Sequence, residues 1–429
     1  MQQLLLSYYG DDFTGSTDVM ESLSLHGVKT VLFTRIPTAE QRNRFVDYRA
    51  VGIAGTSRSE TPVWMDHYLP DCFRWLKALD ARFCHYKVCS TFDSSPNIGN
   101  IGRAIEIGAR IFRQRIIPLV VGAPQLKRYT AFGHLFAGYQ GQTYRIDRHP
   151  VMSRHPVTPM TESDLRLHLA KQTDVPVVLV PANSLSSPVT VSDGILLFDV
   201  WDAATQLETG RQLLALGPFV VGSSGVNYAI VKALIAEGSL DGASAFAPLD
   251  PVDRIIAVSG SCSPTTSRQI RHALANGFTG LPADPVLLAG PNGDTEVKRI
   301  AGKAIDQLNQ GNSVLVYTAI DPESDKGKVL DSIPLGRHRV GEALGRITRQ
   351  CIEHCGLKRV ILAGGDTSSH ALGQLDIFAL TTRFPLADSP GSPLCLAHSA
   401  VSSLDGIEIA MKGGQVGRDD YFTMLRGQV

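Results

Sequence analysis

The chain has 429 residues, with 41 Lys and Arg against 41 Asp and Glu. That length exceeds what one hydrophobic core serves, so two or three domains are expected. With 43% hydrophobic and 19% charged residues it reads as a globular enzyme and not a disordered chain, and its neutral balance leaves no global field to recruit nucleic acid or a membrane surface, so an anionic ligand must be caught by local groups.

The amino end carries a three-leucine run without a basic flank, which does not read as a signal peptide. No stretch reaches the roughly 18–20 apolar residues a membrane helix needs. Residues 4–8, 30–33, 50–54, 83–88, 116–121, 177–180, 195–200 and 219–221 read as buried strands, and 15–25, 101–113 and 203–214 as amphipathic helices. Such alternation predicts a parallel sheet with helices on both faces. Residues 123–159 are rich in Gly, Arg, His, Tyr and Pro, include the cluster Arg145, Asp147, Arg148 and His149, and read as a long irregular segment, either a lid or site loop or a solvated surface loop.

The stretch LDGASAFAPLDPVD at 240–253 lacks helical periodicity and marks a boundary, giving domains over 1–240 and 254–429 joined by a linker over 241–253. The pattern then restarts, with strands at 254–258, 313–317 and 359–362 and helices at 265–276, 296–309, 340–355 and 367–372. The expected fold class is α/β: two domains, each with a mostly parallel sheet flanked by helices, and an active site in the cleft between them. Seven cysteines (72, 84, 89, 262, 351, 355 and 395) show no framework spacing and read as reduced thiols of a cytoplasmic protein. Cys351 and Cys355 have no second ligand pair at zinc-site spacing and read as helix cysteines.

Several motifs stand just past predicted strands, where open α/β sheets bind ligands. Gly10-Asp11-Asp12-Phe13-Thr14-Gly15-Ser16-Thr17-Asp18 opens the first helix. Adjacent carboxylates there can hold a hydroxyl, take its proton or bind magnesium, beyond what an N-cap requires. Lys87 is followed by Cys89, Ser90, Thr91, Asp93 and Ser94, a lysine among hydroxyls that can hold a carboxylate or phosphate, or form a self-bonded turn. Arg58, after the third strand, suits a bidentate carboxylate contact, or is a solvated surface residue. Ser259-Gly260-Ser261-Cys262-Ser263-Pro264 is a βα turn with proline at the first helical position. Gly364-Gly365-Asp366-Thr367 pairs glycines with a helix start, a phosphate cradle by backbone approach. Lys412-Gly413-Gly414-Gln415-Val416-Gly417 reads as a glycine turn packed against something flat or charged, or as a surface turn. Neither a P-loop nor the dinucleotide, protein-kinase, serine-hydrolase or zinc-protease signatures occur.

These motifs, in this order, resemble the four-carbon acid sugar kinase family. The resemblance rests on GDDFTGSTD (10–18), KVCSTFDSSP (87–96), GNIGRA (99–104), HPVTPMTESDL (155–165), SGSCSP (259–264), GGDTS (364–368) and KGGQVG (412–417). It implies a sugar-acid-binding N-terminal domain, an ATP-binding C-terminal domain, and transfer of the γ-phosphoryl of Mg-ATP to a hydroxyl of threonate, erythronate or 3-oxo-tetronate. The stretch 133–160 is similar to a subgroup acting on branched acids, for which 3-oxo-isoapionate is the implied substrate. Carried over by motif, ATP contacts fall on Ser259, Gly364, Gly365, Asp366, Thr367, Gly413 and Gly414. Substrate contacts fall on Arg58 and Lys87, with Thr91, Asp93 and Ser94 beside them, and Asp12 or Asp11 takes the hydroxyl proton. Metal ligands are not assigned. The implied partners are a small sugar acid and a second copy of the chain, not nucleic acid or membrane. The rival readings are a non-catalytic sensor of sugar acid and nucleotide, and a hydrolase or synthase with Cys89 or Cys262 as nucleophile.

Overall fold

The computed structural model describes residues 3–427 apart from 156, 188–190, 322–323, 387 and 390. Its contacts divide the chain into two units, Met1–Ser244 and Ala245–Val429. The connector changes allegiance within a few residues. The Ser244 N–H donates to the Leu25 carbonyl of the first unit at 3.1 Å. The carbonyls of Ala247, Pro248 and Asp250 accept from Arg383 and Arg359 of the second at 2.8, 3.0 and 3.0 Å.

In the first unit, the main-sheet strands are β1 (Leu6–Gly10), β2 (Thr30–Phe33), β3 (Ala50–Ala54), β4 (Phe83–Lys87), β5 (Ile116–Val120), β9 (Val177–Val180), β10 (Gly194–Phe198) and β11 (Phe219–Gly222). Between β5 and β9 come β6 (Arg128–Ala131), β7 (His134–Tyr139) and β8 (Gln142–Arg145). Among the described residues the main sheet runs β2-β3-β1-β4-β11-β5-β10-β9 with parallel pairing throughout. Strands such as β1, β3 and β10 are buried at every position, as a sheet covered on both faces requires. The helices are α1 (Phe13–Leu25), α2 (Ala39–Asn43), α3 (Pro62–Ala78), α4 (Ile101–Phe112), α5 (Leu165–Leu169), α6 (Ala203–Ala215) and α7 (Gly225–Ala236). Successive strand residues face opposite sides. Tyr9 joins the core with Phe73, Tyr86 and Phe219 under α3 and α4, while Tyr8 donates its hydroxyl to Ser16 O of α1 at 3.1 Å.

The segment 123–159 departs from the irregular loop expected of it. Its strands β6, β7 and β8 form an antiparallel sheet. Two-residue turns close both hairpins: Phe132 and Gly133 take φ of 52° and 82°, and Gln140 and Gly141 take 47° and 80°. Paired positive φ values are the twist-matched hairpin turn, with glycine at the second position.

The second unit contains β12 (Ile256–Ser259), β13 (Phe278–Pro282), β14 (Ser313–Tyr317), β15 (Arg359–Ala363), β16 (Ile377–Phe384), β17 (Leu394–Ser399) and β18 (Glu408–Lys412). Their order is β13-β14-β12-β15-β18-β17-β16, parallel from β13 to β18 and antiparallel beyond. Its helices are α8 (Pro264–Ala275), α9 (Pro285–Ala289), α10 (Gly293–Asn309), α11 (Gly327–Leu330), α12 (Gly336–Cys355), α13 (Gly365–Leu372) and α14 (Tyr421–Arg426).

Both sheets place three carboxyl ends side by side. Gly10 stands opposite Ala54 and Lys87 across β3-β1-β4, and Ala363 stands opposite Ser259 and Lys412 across β12-β15-β18. Each contains a switch point: the chain leaves β1 toward β2 and β3 and returns at β4 on its other side, and it leaves β12 toward β13 and β14 and returns at β15 on its other side.

Arg359 locks the second unit to the connector. It is 1% exposed and donates to Glu408 at 2.7 Å, Leu425 O at 2.6 Å and Asp250 O at 3.0 Å. Removing one partner of a buried pair costs about 3–5 kcal/mol. Arg359→Ala should therefore lower the urea midpoint of this unit strongly, and a midpoint equal to wild type would contradict the assignment.

Candidate active site

The loops after β1, β3 and β4 bring Asp11, Asp12, Arg58, Lys87, Thr91 and Asp93 together. Asp12 is the N-cap of α1, its backbone extended and its Oδ1 accepting from the Gly15 N–H at 2.6 Å. Its Oδ2 accepts from Arg58 Nη1 at 2.7 Å. Arg58 Nη2 donates to both oxygens of Asp93 at 3.0 and 2.9 Å. The arginine is thus bridged between two carboxylates of its own chain, which leaves its Nε–H and part of Nη1 for a ligand. Gly99 has φ of 64°, and a Cβ there would lie 2.5 Å from Arg58 O, so only glycine lets the β4–α4 loop pass.

Lys87 is 2% exposed and has no hydrogen-bond or ion-pair partner among the described residues. It presses on the first turn of α1: a Cβ at Gly15 would meet Lys87 Nζ at 2.7 Å and Asp12 Oδ1 at 2.6 Å. Ser94 is brought near but is committed, donating to Phe92 O at 3.1 Å and meeting His168 Nε2 at 2.8 Å and Gln172 Nε2 at 2.9 Å. Thr91 donates its hydroxyl to Asp93.

The two adjacent aspartates differ in character. Burial and the Asp12 charge push Asp11 from its ordinary 3.8 up to about 7, against the pull of Lys87 and Arg58. Its Oδ1 is buried without a partner. Burial also disfavours the Asp12 anion, but Arg58, Lys87 and the Gly15 N–H outweigh it and hold Asp12 below the usual range. Asp93 is likewise lowered: Arg58 and the Thr91 hydroxyl overcome its burial. Asp18, one turn along α1, is raised by burial and accepts from Ser224. Asp11 is therefore a proton acceptor with unused lone pairs, poised near neutrality, beside an unpaired ammonium.

In the second unit the corresponding loops build a cradle of glycines and hydroxyls. Gly364 has φ of 115° and caps α13 without a side chain. A Cβ at Gly260 would strike the Thr367 hydroxyl, and one at Gly414 would meet Ser261 Oγ at 2.7 Å, so these glycines are matched to close approach. Ser263 caps α8 with Pro264 at its first position and donates to Gly414 O. Behind it Lys412 is fully buried, donates to Thr266 Oγ1 at 3.1 Å, and is pulled down to about 7 by burial. A cavity of about 450 Å³ opens on this rim, within the range of small-molecule sites. Of the residues expected to contact ATP, Gly364, Gly365 and Thr367 line it; Ser259, Gly413 and Gly414 lie outside its lining, and the Asp366 side chain lies outside the described residues.

The cavity also recruits residues the sequence did not single out. Thr318 and Ala319 follow β14, the neighbour of β12, and Leu330 and Val340 supply apolar wall. Asp325 and Arg337 add charge to the lining, with Arg337 oriented by Asp331 at 2.7 Å. The position of Thr318 just past a predicted strand was the available signal. Among the described residues no group of three or more His, Cys, Asp or Glu is placed to hold a metal, and Cys351 and Cys355 are free.

Comparison with known proteins fits both halves. A family model described as a sugar-binding N-terminal domain matches residues 6–230, and one described as a nucleotide-binding C-terminal domain matches residues 256–422. The chain is 44% identical to a 3-oxo-isoapionate kinase of Paraburkholderia graminis, over 99% of this chain and 94% of that protein. The chain belongs to the four-carbon acid sugar kinase family. Further relatives of this kinase are 3-oxo-tetronate kinases of Pseudomonas fluorescens, 29% identical over 99% and 97% of the two chains, and Methylobacterium radiotolerans, 28% identical over 98% of each. Solved chains from Salmonella typhimurium LT2 (TM-score 0.79, 23% identity, 99% of each chain) and Haemophilus influenzae (TM-score 0.73, 22% identity, 98% and 99%) share its fold. The relatives place the kinase among ATP-using sugar acid enzymes, which disfavours the sensor. No helix among the described residues is long and apolar enough to cross a membrane.

Asp11 binds its proton more tightly in the fold, at about 7, than in the unfolded chain, at 3.8. Its contribution therefore erodes stability as pH rises through that window. Asp11→Asn removes the erosion, so the melting temperature of the variant should fall less than that of wild type between roughly pH 4 and 7. Parallel curves would contradict the assignment.

Proposed function

We propose that this kinase transfers the γ-phosphoryl group of ATP to a hydroxyl of the branched acid 3-oxo-isoapionate, with 3-oxo-tetronate a poorer acceptor. The preference rests on 44% identity to a kinase of the first acid against 28–29% for kinases of the second. One observation carries the site: a buried carboxyl oxygen without a partner, Asp11 Oδ1, beside a buried lysine, Lys87, whose amine makes no hydrogen bond among the described residues. A hydroxy acid supplies what both lack. Its carboxylate takes Lys87 and the unused N–H groups of Arg58, and its hydroxyl donates to Asp11.

In this reading Asp11 is the base. A proton acceptor works best with a pKa near the working pH, and Asp11 sits at about 7. Asp12 stays ionised, holding α1 and Arg58 in place, and a carboxylate already bonded to Gly15 and Arg58 has less capacity left for the substrate. ATP occupies the cavity of the second unit, its phosphates on the amides of the Ser261 and Gly364–Gly365 loops and its base toward Leu330 and Val340. Asp325, Ser261 and Thr367 offer the hard oxygens that suit Mg²⁺, which needs only one or two carboxylates when phosphates supply the rest. The ion when bound would neutralise charge on the transferring group. Transfer is chiefly positioning and charge stabilisation. Use of ATP supports a cytoplasmic location.

Coupled-assay turnover with a panel of sugar acids tests this. Wild type should consume ATP fastest with 3-oxo-isoapionate, lose activity on chelation of divalent metal, and show kcat/KM rising with pH to a plateau with its midpoint near 7. Asp11→Asn should lower kcat/KM about 10²–10⁴-fold and abolish that limb. Binding of the acid without ATP consumption would return the sensor reading, and a limb unchanged in Asp11→Asn would remove Asp11 as the base.

A further inference from the structure

The stretch HPVTPMTESDL at 155–165 follows the three-stranded sheet and has no part in the chemistry above. The structure nevertheless plugs it into the acid site. Thr158 is 2% exposed, and its hydroxyl donates to Asp93 Oδ2 at 3.0 Å. The Asp93 carboxylate is then gripped on both sides, with Thr91 on Oδ1, Thr158 on Oδ2, and Arg58 Nη2 between them. Thr91 belongs to the same loop as Asp93 and moves with it. Thr158 arrives from 65 residues away and fixes the carboxylate to the body of the unit.

Thr158 is itself held. His155 Nδ1 accepts from the Thr158 N–H at 3.1 Å and lies 3.1 Å from its hydroxyl oxygen. Just downstream, the Gln172 Oε1 accepts from the Ile101 N–H at 2.8 Å and its Nε2 donates to Ser94 Oγ at 2.9 Å, with His168 on the same hydroxyl at 2.8 Å. One segment therefore pins the whole β4–α4 loop, from Asp93 to the first turn of α4.

We infer that Thr158 is a positioning residue for the acid substrate: its hydroxyl orients Asp93, Asp93 orients Arg58, and Arg58 presents its remaining N–H groups to the substrate carboxylate. The inference rests on the acid-binding role given to Arg58 above. It adds that the contacts of His155 and Thr158 set where the carboxylate sits, and so which acids fit. Because Arg58 contacts the carboxylate equally before and during transfer, the loss should fall on binding and not on the chemical step.

The test is steady-state kinetics of the full chain with 3-oxo-isoapionate and 3-oxo-tetronate, for Thr158→Val and Thr158→Ser. Valine keeps the shape and removes a hydrogen bond to a charged group. The acid KM should rise about tenfold or more, with kcat within about threefold and the ATP KM unchanged. Serine keeps the hydroxyl and should restore the acid KM. A valine variant kinetically equal to an active wild type overturns the inference and leaves the kinase reading intact. So does a fall in kcat or melting temperature with the acid KM unmoved, or equal damage by valine and serine, either of which marks Thr158 as packing only. Should Thr158→Val not fold, Thr158→Ala removes the same hydroxyl and is judged by the same split. A wild type that turns over ATP with neither acid overturns the kinase reading and this inference together.

Discussion

Arg58 holds apart and in place two carboxylates, Asp12 and Asp93, that belong to different strand ends. Charge-assisted hydrogen bonds contribute roughly 1.5–3 kcal/mol each, while burying each ion costs several kcal/mol. The cluster is therefore near break-even for stability, and what it yields is geometry. With Asp12 kept ionised by Arg58, its neighbour Asp11 feels a fixed negative charge in a buried position and retains its proton up to about 7. The difference between two adjacent residues of one type thus traces to which of them the guanidinium touches. Pairs of carboxyls whose environments push their proton affinities apart are how one fold separates an anchoring acid from a working one.

The second unit solves a different problem with the same sheet geometry. Three strand ends in register again converge, but they deliver glycines and hydroxyls where the first unit delivers charges. A triphosphate with its metal brings its own charge, so the protein needs amide donors and room for close approach. Lys412 lies beneath that surface, buried, and burial draws its proton affinity down to about 7.

Much of this was legible in the sequence, for physical reasons. Strands buried on both faces, such as 50–54 and 360–363, leave continuous apolar runs, and the glycine and aspartate motifs follow directly after them. The pairing of those motifs in space was not legible, because it depends on strand order, which a run of residues does not encode. The three strands of 128–145 went unread because few of their positions are fully buried and their composition is that of a loop; the local signals were Phe132-Gly133 and Gln140-Gly141, whose turns need positive φ. Strands β16 and β17 escaped similarly, since β17 alternates small and polar residues among apolar ones. At the site, Arg58 read as a free carboxylate clamp, and no residue spacing could reveal that Asp12 and Asp93 already occupy it. Thr158 lay in a motif that identifies the family, but its role emerges only from a contact made across 65 residues.

The most direct measurement is a crystal structure of the chain grown with a nonhydrolysable ATP analogue and 3-oxo-isoapionate. The account predicts phosphates on the amides of Ser261 and Gly364–Gly365, and an acid whose carboxylate meets Lys87 and whose hydroxyl meets Asp11. A triphosphate bound away from that glycine rim, or an acid that leaves Asp11 and Lys87 untouched, would contradict it.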